Sequence, residues 1–176
     1  IIYFFTYGYS LETWFNSGTI QKEVKVFKKL IEDTGYKVTF VTFGSKEDLN
    51  YKKFTGEIEI VPIYKYFKYS KFKLIRYIKS FYAPFFLKKK IVKPTLVKQN
   101  QLLGSWISII YKLLIQKPLV IRTGYDMLFF AMEEKKNFIK IFLYYLLTKL
   151  SLSFSELYTV TSKADKDFLE KKFGKS

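Results

Sequence analysis

Residues 20–43 read Ile-Gln-Lys-Glu-Val-Lys-Val-Phe-Lys-Lys-Leu-Ile-Glu-Asp-Thr-Gly-Tyr-Lys-Val-Thr-Phe-Val-Thr-Phe. Ile20, Val24, Phe27, Leu30 and Ile31 recur at helical spacing and make one apolar stripe for a core. Gly35 follows the last of them as a C-terminal cap. Residues 37–43 are then β-branched and aromatic, as a strand requires. The unit is a helix running directly into a strand. Residues 1–6, continuous in Ile and Phe, supply a buried strand before it. Strand, helix and strand in this order predict a βαβ unit.

The same alternation continues outward. Residues 7–19 read as a polar and aromatic loop containing Gly8 and Gly18. Residues 57–63 read as a third strand. Residues 70–81 read as a helix broken by Pro84. Residues 94–98 form a short strand leading into Gln99-Asn100-Gln101. Helices are expected at 103–116 and 133–150, and strands at 119–122 and 157–161. A last helix, 162–173, opens with Ser162 and Asp165 in a capping box and stops at Gly174. The fold class is therefore α/β: a Rossmann-like three-layer domain with a mostly parallel sheet.

In such a sheet the ligand crevice lies beyond the carboxyl ends of the strands. That rule selects residues 7–18, Gly44, 99–101, 122–126 and Ser162. No G-x-G-x-x-G and no G-x-x-x-x-G-K-[ST] occurs, so the first turn is not a dinucleotide or Walker loop. Gly18-Thr19 before a helix could still offer N–H groups to phosphate, or be an ordinary turn with Thr19 as N-cap. Gln99-Asn100-Gln101 could bind sugar hydroxyls, since each amide donates and accepts, or be a polar loop. Arg122 stands out because Lys outnumbers Arg 29 to 2. A guanidinium forks onto carboxylate or phosphate as Lys cannot. Its structural alternative is an ion pair with Asp126.

Composition limits the chemistry. Of 176 residues 49% are apolar and 20% aromatic, which is globular and sufficient for a core. His and Cys are both absent. Ser-His-Asp and Cys-His catalysis, thiolate metal sites and disulfides are thus excluded within this chain. No metal or cofactor is expected. The most apolar helix, 138–150, is interrupted by Lys140 and Lys149, and no run reaches transmembrane length. A cytoplasmic location, peripheral on the inner membrane face, is the expectation.

The fragments Gly8 to Gly18 with Gln21-Lys22-Glu23, residues 35–42, residues 98–106, Val120-Ile-Arg-Thr-Gly-Tyr-Asp and Val160-Thr-Ser-Lys-Ala-Asp are spread over nearly the whole chain. In that order and spacing they resemble the N-terminal domain of family-4 glycosyltransferases, which have the GT-B fold. Lys22 departs from the Arg common there, and the loop after the fourth strand lacks the His some members carry. The resemblance implies a retaining, metal-independent transfer from a nucleotide-sugar donor to a glycan or lipid-linked acceptor. It also implies that residues 1–176 are the acceptor-side domain, with a C-terminal donor-binding domain as partner across a cleft. It places Gly8, Gly18, Asn100, Gln101, Arg122, Asp126 and Ser162 toward substrate, with Gln101 and Arg122 as catalytic candidates. Gly18 would offer its N–H to the leaving diphosphate.

Net charge is +16, and residues 60–125 hold fourteen basic residues and no acid. Lys65, Lys68, Lys71, Lys73, Arg76, Lys79, Lys88, Lys89 and Lys90 alternate there with Tyr and Phe. This pattern suits an anionic membrane surface, or single-stranded nucleic acid, or a plain solvated face over a core of rings. Nucleic acid is not the expected partner. The competing reading of the whole chain is a non-catalytic basic α/β module that docks through residues 64–98.

Overall fold

Six strands, β1 (Ile2–Phe4), β2 (Thr39–Thr42), β3 (Glu59–Pro62), β4 (Val97–Asn100), β5 (Leu119–Arg122) and β6 (Leu157–Thr159), form one all-parallel sheet ordered β3-β2-β1-β4-β5-β6. The structure, a computed structural model, describes residues 1–91, 94–124 and 126–174. Tyr125 of the Arg-Thr-Gly-Tyr-Asp segment and the terminal Lys175-Ser176 lie outside the described residues.

The chain steps outward from β1 to β3, then returns past β1 and steps outward again from β4 to β6. Right-handed crossovers put the helices of the two legs on opposite faces. On the first face lie α1 (Leu11–Asn16) and α2 (Ile20–Thr34). Trp14 and Phe27 from these helices meet Tyr3, Phe5 and Phe40, with Phe5 and Trp14 stacked at 4.0 Å. A short α3 (Lys52–Thr55) follows β2. On the second face lies α5 (Ser105–Ile115), whose Tyr111 meets Phe4 edge-on at 5.5 Å. Beside it run α4 (Lys73–Lys90) and α7 (Phe138–Phe154), preceded by α6 (Met127–Glu133) and followed after β6 by α8 (Lys163–Phe173). The Rossmann-like three-layer reading holds.

Four local expectations fail, each for a physical reason. Residues 7–19 are not all loop: Ser10 and Thr13 form a capping box and start α1. Pro84 does not break its helix. It lies buried inside α4 with Ala83 and Leu87, and burial of that face outweighs the roughly 3 kcal/mol a mid-helix proline costs. Ser80, whose carbonyl loses its usual donor, is held instead through its side chain. Its Oγ donates to Tyr77 O at 2.6 Å and accepts Trp106 Nε1 at 2.9 Å. The helix expected over 133–150 begins only at Phe138, after residue 133 has ended α6. Lys135 turns left-handed (φ 49°), and Asn137 Oδ1 caps α7 by accepting Ile139 N–H at 2.9 Å. Finally, Gln99 and Asn100 belong to β4, so only Gln101 stands past the strand end.

Candidate functional site

The sheet's switch point falls between β1 and β4, where this topology opens a crevice. The first helix after β1 is the usual seat for a ligand phosphate. Here it is occupied by the protein's own carboxylate. Asp48, 2% exposed, accepts Leu11 N–H at 3.2 Å and Glu12 N–H at 3.4 Å, and its Oδ2 also accepts from the Thr42 hydroxyl. Burial pushes the Asp48 carboxyl up, while those three donors pull it back. Gly44 makes the arrangement possible, since a Cβ there would lie 2.1 Å from Asp48 Oδ2.

Gly18 is also unavailable to a ligand. Its N–H donates to Phe15 O at 3.0 Å, closing the end of α1. The expectation that this N–H meets a diphosphate is therefore corrected. Thr19 places no side-chain oxygen on the first turn of α2, because its hydroxyl turns back to Trp14 O and Ser17. The first-turn N–H groups of α2 thus lack a side-chain cap.

Beyond β1–β3 lies a cavity of about 270 Å³, walled by Tyr7, Gly8, Phe43, Tyr64, Tyr69 and Tyr77 with Lys73 and Arg76. Tyr7 and Tyr77 stack at 4.8 Å and 15°. The Tyr7 hydroxyl is buried beside that of Tyr64. Burial, then the neighbouring Tyr64 and Tyr77, push its pKa well up, against the opposing charge of Arg76. Arg76 is held by Ser70 O at 2.7 Å and Lys71 O at 3.0 Å, with its guanidinium carbon 5.1 Å from the Tyr69 ring centre. Of the expected substrate-side residues, Gly8 alone is found here; its φ is 84°. Sequence reasoning placed Arg76 in the basic stretch and missed this cavity. The rarity of Arg, which singled out Arg122, marked Arg76 equally.

The β4–β6 edge is built from turns. Gln99 is fully buried, and its Nε2 reaches Phe5 O, Asn100 O and Leu103 O at 3.4, 2.9 and 3.4 Å. It fastens β4 to β1 and does not face the crevice, which corrects the reading of three adjacent amides as one sugar-binding run. Asn100 is half-buried, and its carbonyl accepts from the Thr6 hydroxyl at 3.1 Å. Gln101 adopts φ 67°, a left-handed conformation unusual for any residue but glycine. Its N–H donates to Arg122 O at 2.8 Å and its Oε1 accepts Gly124 N–H at 3.1 Å. Thr161 Oγ1 donates to Gly124 O at 3.2 Å. One polar network thus joins the turns after β4, β5 and β6.

Arg122 ends β5, opposite Asn100 and Thr159 in register. It is exposed, and no hydrogen bond or ion pair engages its guanidinium among the described residues. Register places it on the same sheet face as Lys98, one row nearer the crevice. Burial first, and the Arg122 charge second, lower the Lys98 pKa, with Glu23 acting the other way. Asp126 is not the ion-pair partner. It is 1% exposed and caps α6 by accepting Phe129 N–H at 2.7 Å. Its expected place among substrate contacts is therefore corrected: the carboxylate is buried, and burial raises its pKa. Ser162 is exposed and caps α8 by accepting Asp165 N–H at 3.0 Å, as its sequence context requires.

Of the basic set, Lys65, Lys68, Lys71, Lys73, Lys88, Lys89 and Lys90 are exposed. Arg76 and Lys79 are half-buried, and Lys79 Nζ donates to Lys68 O at 2.7 Å. Among the described residues no group of three or more His, Cys, Asp or Glu is placed to hold a metal ion. Compared with known proteins, the chain matches no family model and no curated relative.

Proposed function

We propose that this chain is the acceptor-side half of a two-domain glycosyltransferase, transferring a sugar from a nucleotide-sugar to a glycan or lipid-linked acceptor. One observation carries the reading. The phosphate seat after β1 is filled by Asp48, whereas Arg122 stands exposed at the crevice end of β5, its guanidinium in no hydrogen bond or ion pair among the described residues. A domain so built is poorly suited to hold a nucleotide by itself, and well suited to be one wall of a cleft whose other wall holds the donor.

Roles follow from chemistry. The Arg122 fork receives a phosphate or carboxylate of substrate and stabilises negative charge as the sugar leaves its diphosphate. The Gln101 side-chain amide, bonded to Gly124 through Oε1, leaves its Nε2 for a sugar hydroxyl. Tyr7 and Tyr77 offer ring faces to a sugar, and Lys73 and Arg76 attract an anionic group beside them. Transfer is of the retaining, metal-independent type. The diphosphate meets the uncapped first turn of α2 in place of Gly18.

The test is a transfer assay on the full-length gene product with a panel of nucleotide-sugars, reading nucleoside diphosphate release that depends on added acceptor. Alongside it, calorimetry measures nucleotide binding to residues 1–176. The reading expects release from the full-length protein and no tight nucleotide binding by the single domain. Tight binding by the domain alone, lost when the β1 turn is altered, would point to a one-domain nucleotide enzyme instead.

A further inference from the structure

Helix α7 packs inside out. Its buried positions are the polar Thr148 and Ser151, and Ser151 Oγ donates to Ser105 Oγ of α5 at 2.9 Å. Most of its outward positions are apolar: Phe138 is 78% exposed, Ile139 66% and Leu143 57%. A helix facing water has the reverse pattern. Contact through small hydroxyl residues, with the apolar side turned out, is how helices associate in lipid.

Helix α4 repeats the theme beside it. Leu74, Ile78, Phe81 and Phe85 recur at helical spacing and are all exposed. Between the two helices, Tyr77, Phe81 and Trp106 face Leu143, Leu147 and Leu150 across an apolar groove of about 470 Å³. Charge selects the occupant. Every ionisable group on α4 and α7 other than tyrosine is basic, with Lys73 and Lys88–Lys90 on α4 and Lys140 and Lys149 on α7 exposed. Arg76 and Lys79, tied to carbonyls of residues 68–71, hold the approach to α4 in place.

We propose that the outward faces of α4 and α7 form a docking surface for an anionic lipid bilayer. Their apolar side chains enter the acyl boundary, and the lysines meet lipid phosphates. The helices lie in the interface and do not cross it, since no helix among the described residues is long and apolar enough to span. Tyr77 lines both the groove and the cavity beyond β1–β3, so docking brings that cavity to headgroup level. The proposal stands apart from the transferase reading, because vesicle binding needs no sugar transfer.

The experiment is vesicle flotation with phosphatidylcholine alone and with added phosphatidylglycerol, at an ionic strength of about 0.15 M. Brominated acyl chains report depth by quenching Trp106, while Trp14, 4% exposed in the core, stays unquenched. The wild-type chain should float with anionic vesicles and be quenched. Leu143→Gln/Leu146→Gln/Leu150→Gln, at outward or groove-lining positions, should bind about tenfold more weakly or worse with an unchanged melting temperature. Lys88→Gln/Lys89→Gln/Lys90→Gln should lose the preference for phosphatidylglycerol, and tests the idea even if the leucine variant misfolds. Equal binding to both vesicle types, or binding without Trp106 quenching, would overturn the proposal. So would a concentration-dependent dimer that the leucine variant abolishes, since a second copy would then cover this face.

Discussion

The two halves of the crevice edge treat charge in opposite ways. Beyond β1–β3 the protein fills its own anion seat, setting Asp48 against the first turn of α1 and the Thr42 hydroxyl. Beyond β4–β6 it leaves Arg122 exposed, although Asp126 is four residues away and could have paired with it. Helix N-terminus and arginine are both anion-binding devices. A device satisfied from within is structural; one left open at a ligand crevice is available for binding.

That contrast can be broken first at Arg122. On the transferase proposal, Arg122→Lys should reduce transfer by the full-length protein about a hundredfold, because a point charge cannot reproduce the planar fork. Its melting temperature should stay within about 2 °C, as for an exposed residue with no partner among the described residues. Equal losses of activity and stability would make Arg122 a structural residue.

Asp48 should behave oppositely. Asp48→Ala strands the buried Leu11 N–H, the part-buried Glu12 N–H and the Thr42 hydroxyl, costing on the order of 2 kcal/mol in a thermal melt. Sulfate or inorganic phosphate should recover part of that loss in the variant and leave the parent nearly unchanged. Comparable stabilisation of both proteins would mean the anion binds elsewhere and Asp48 is no stand-in.

Gln101 ties the β4–β6 half to strain. Gln101→Gly removes the cost of a left-handed side-chain residue, about 1 kcal/mol, and also removes the bond to Gly124. The two effects should nearly cancel in a denaturant titration while transfer falls. A clear stability loss would assign Gln101 to the scaffold.

The smallest effect is in pH. Burial raises the Asp48 pKa above its ordinary 3.8, so the folded state holds this proton more tightly than the unfolded state does. Its destabilising contribution is fully present above the raised pKa and fades as pH falls toward 3.8. The melting temperature of the parent should therefore rise relative to Asp48→Asn on acidification through that window. A constant difference between the two would remove the buried charge from the argument.

Legibility in the sequence followed the range of the interaction. The helix at 20–34 and its Gly35 cap were readable because spacing and one left-handed glycine suffice. The β5 strand and the Ser162 cap were readable for similar reasons. Pro84 was misread because its tolerance depends on Ser80, Trp106 and a buried helix face contributed partly from another helix. Asp48 carried no signal, since its partners lie 6 and 37 residues away along the chain. Gln99 and Asp126 were misread as open for the same reason: burial is a property of neighbours brought together by the fold.

By itself the sequence determined an α/β chain with a parallel sheet, the order of its strands and helices, a basic centre without carboxylates, and the absence of His and Cys chemistry. Those properties depend on periodicity, local caps and composition, each confined to a short stretch. Only the tertiary structure decided that Asp48 fills the first anion seat and that Arg122 stays exposed at the end of β5. It also decided that Arg76 meets four tyrosines around one cavity, and that α7 turns its apolar side outward. These are facts of distance between segments far apart in sequence, and they exist only once the sheet has brought the segments together.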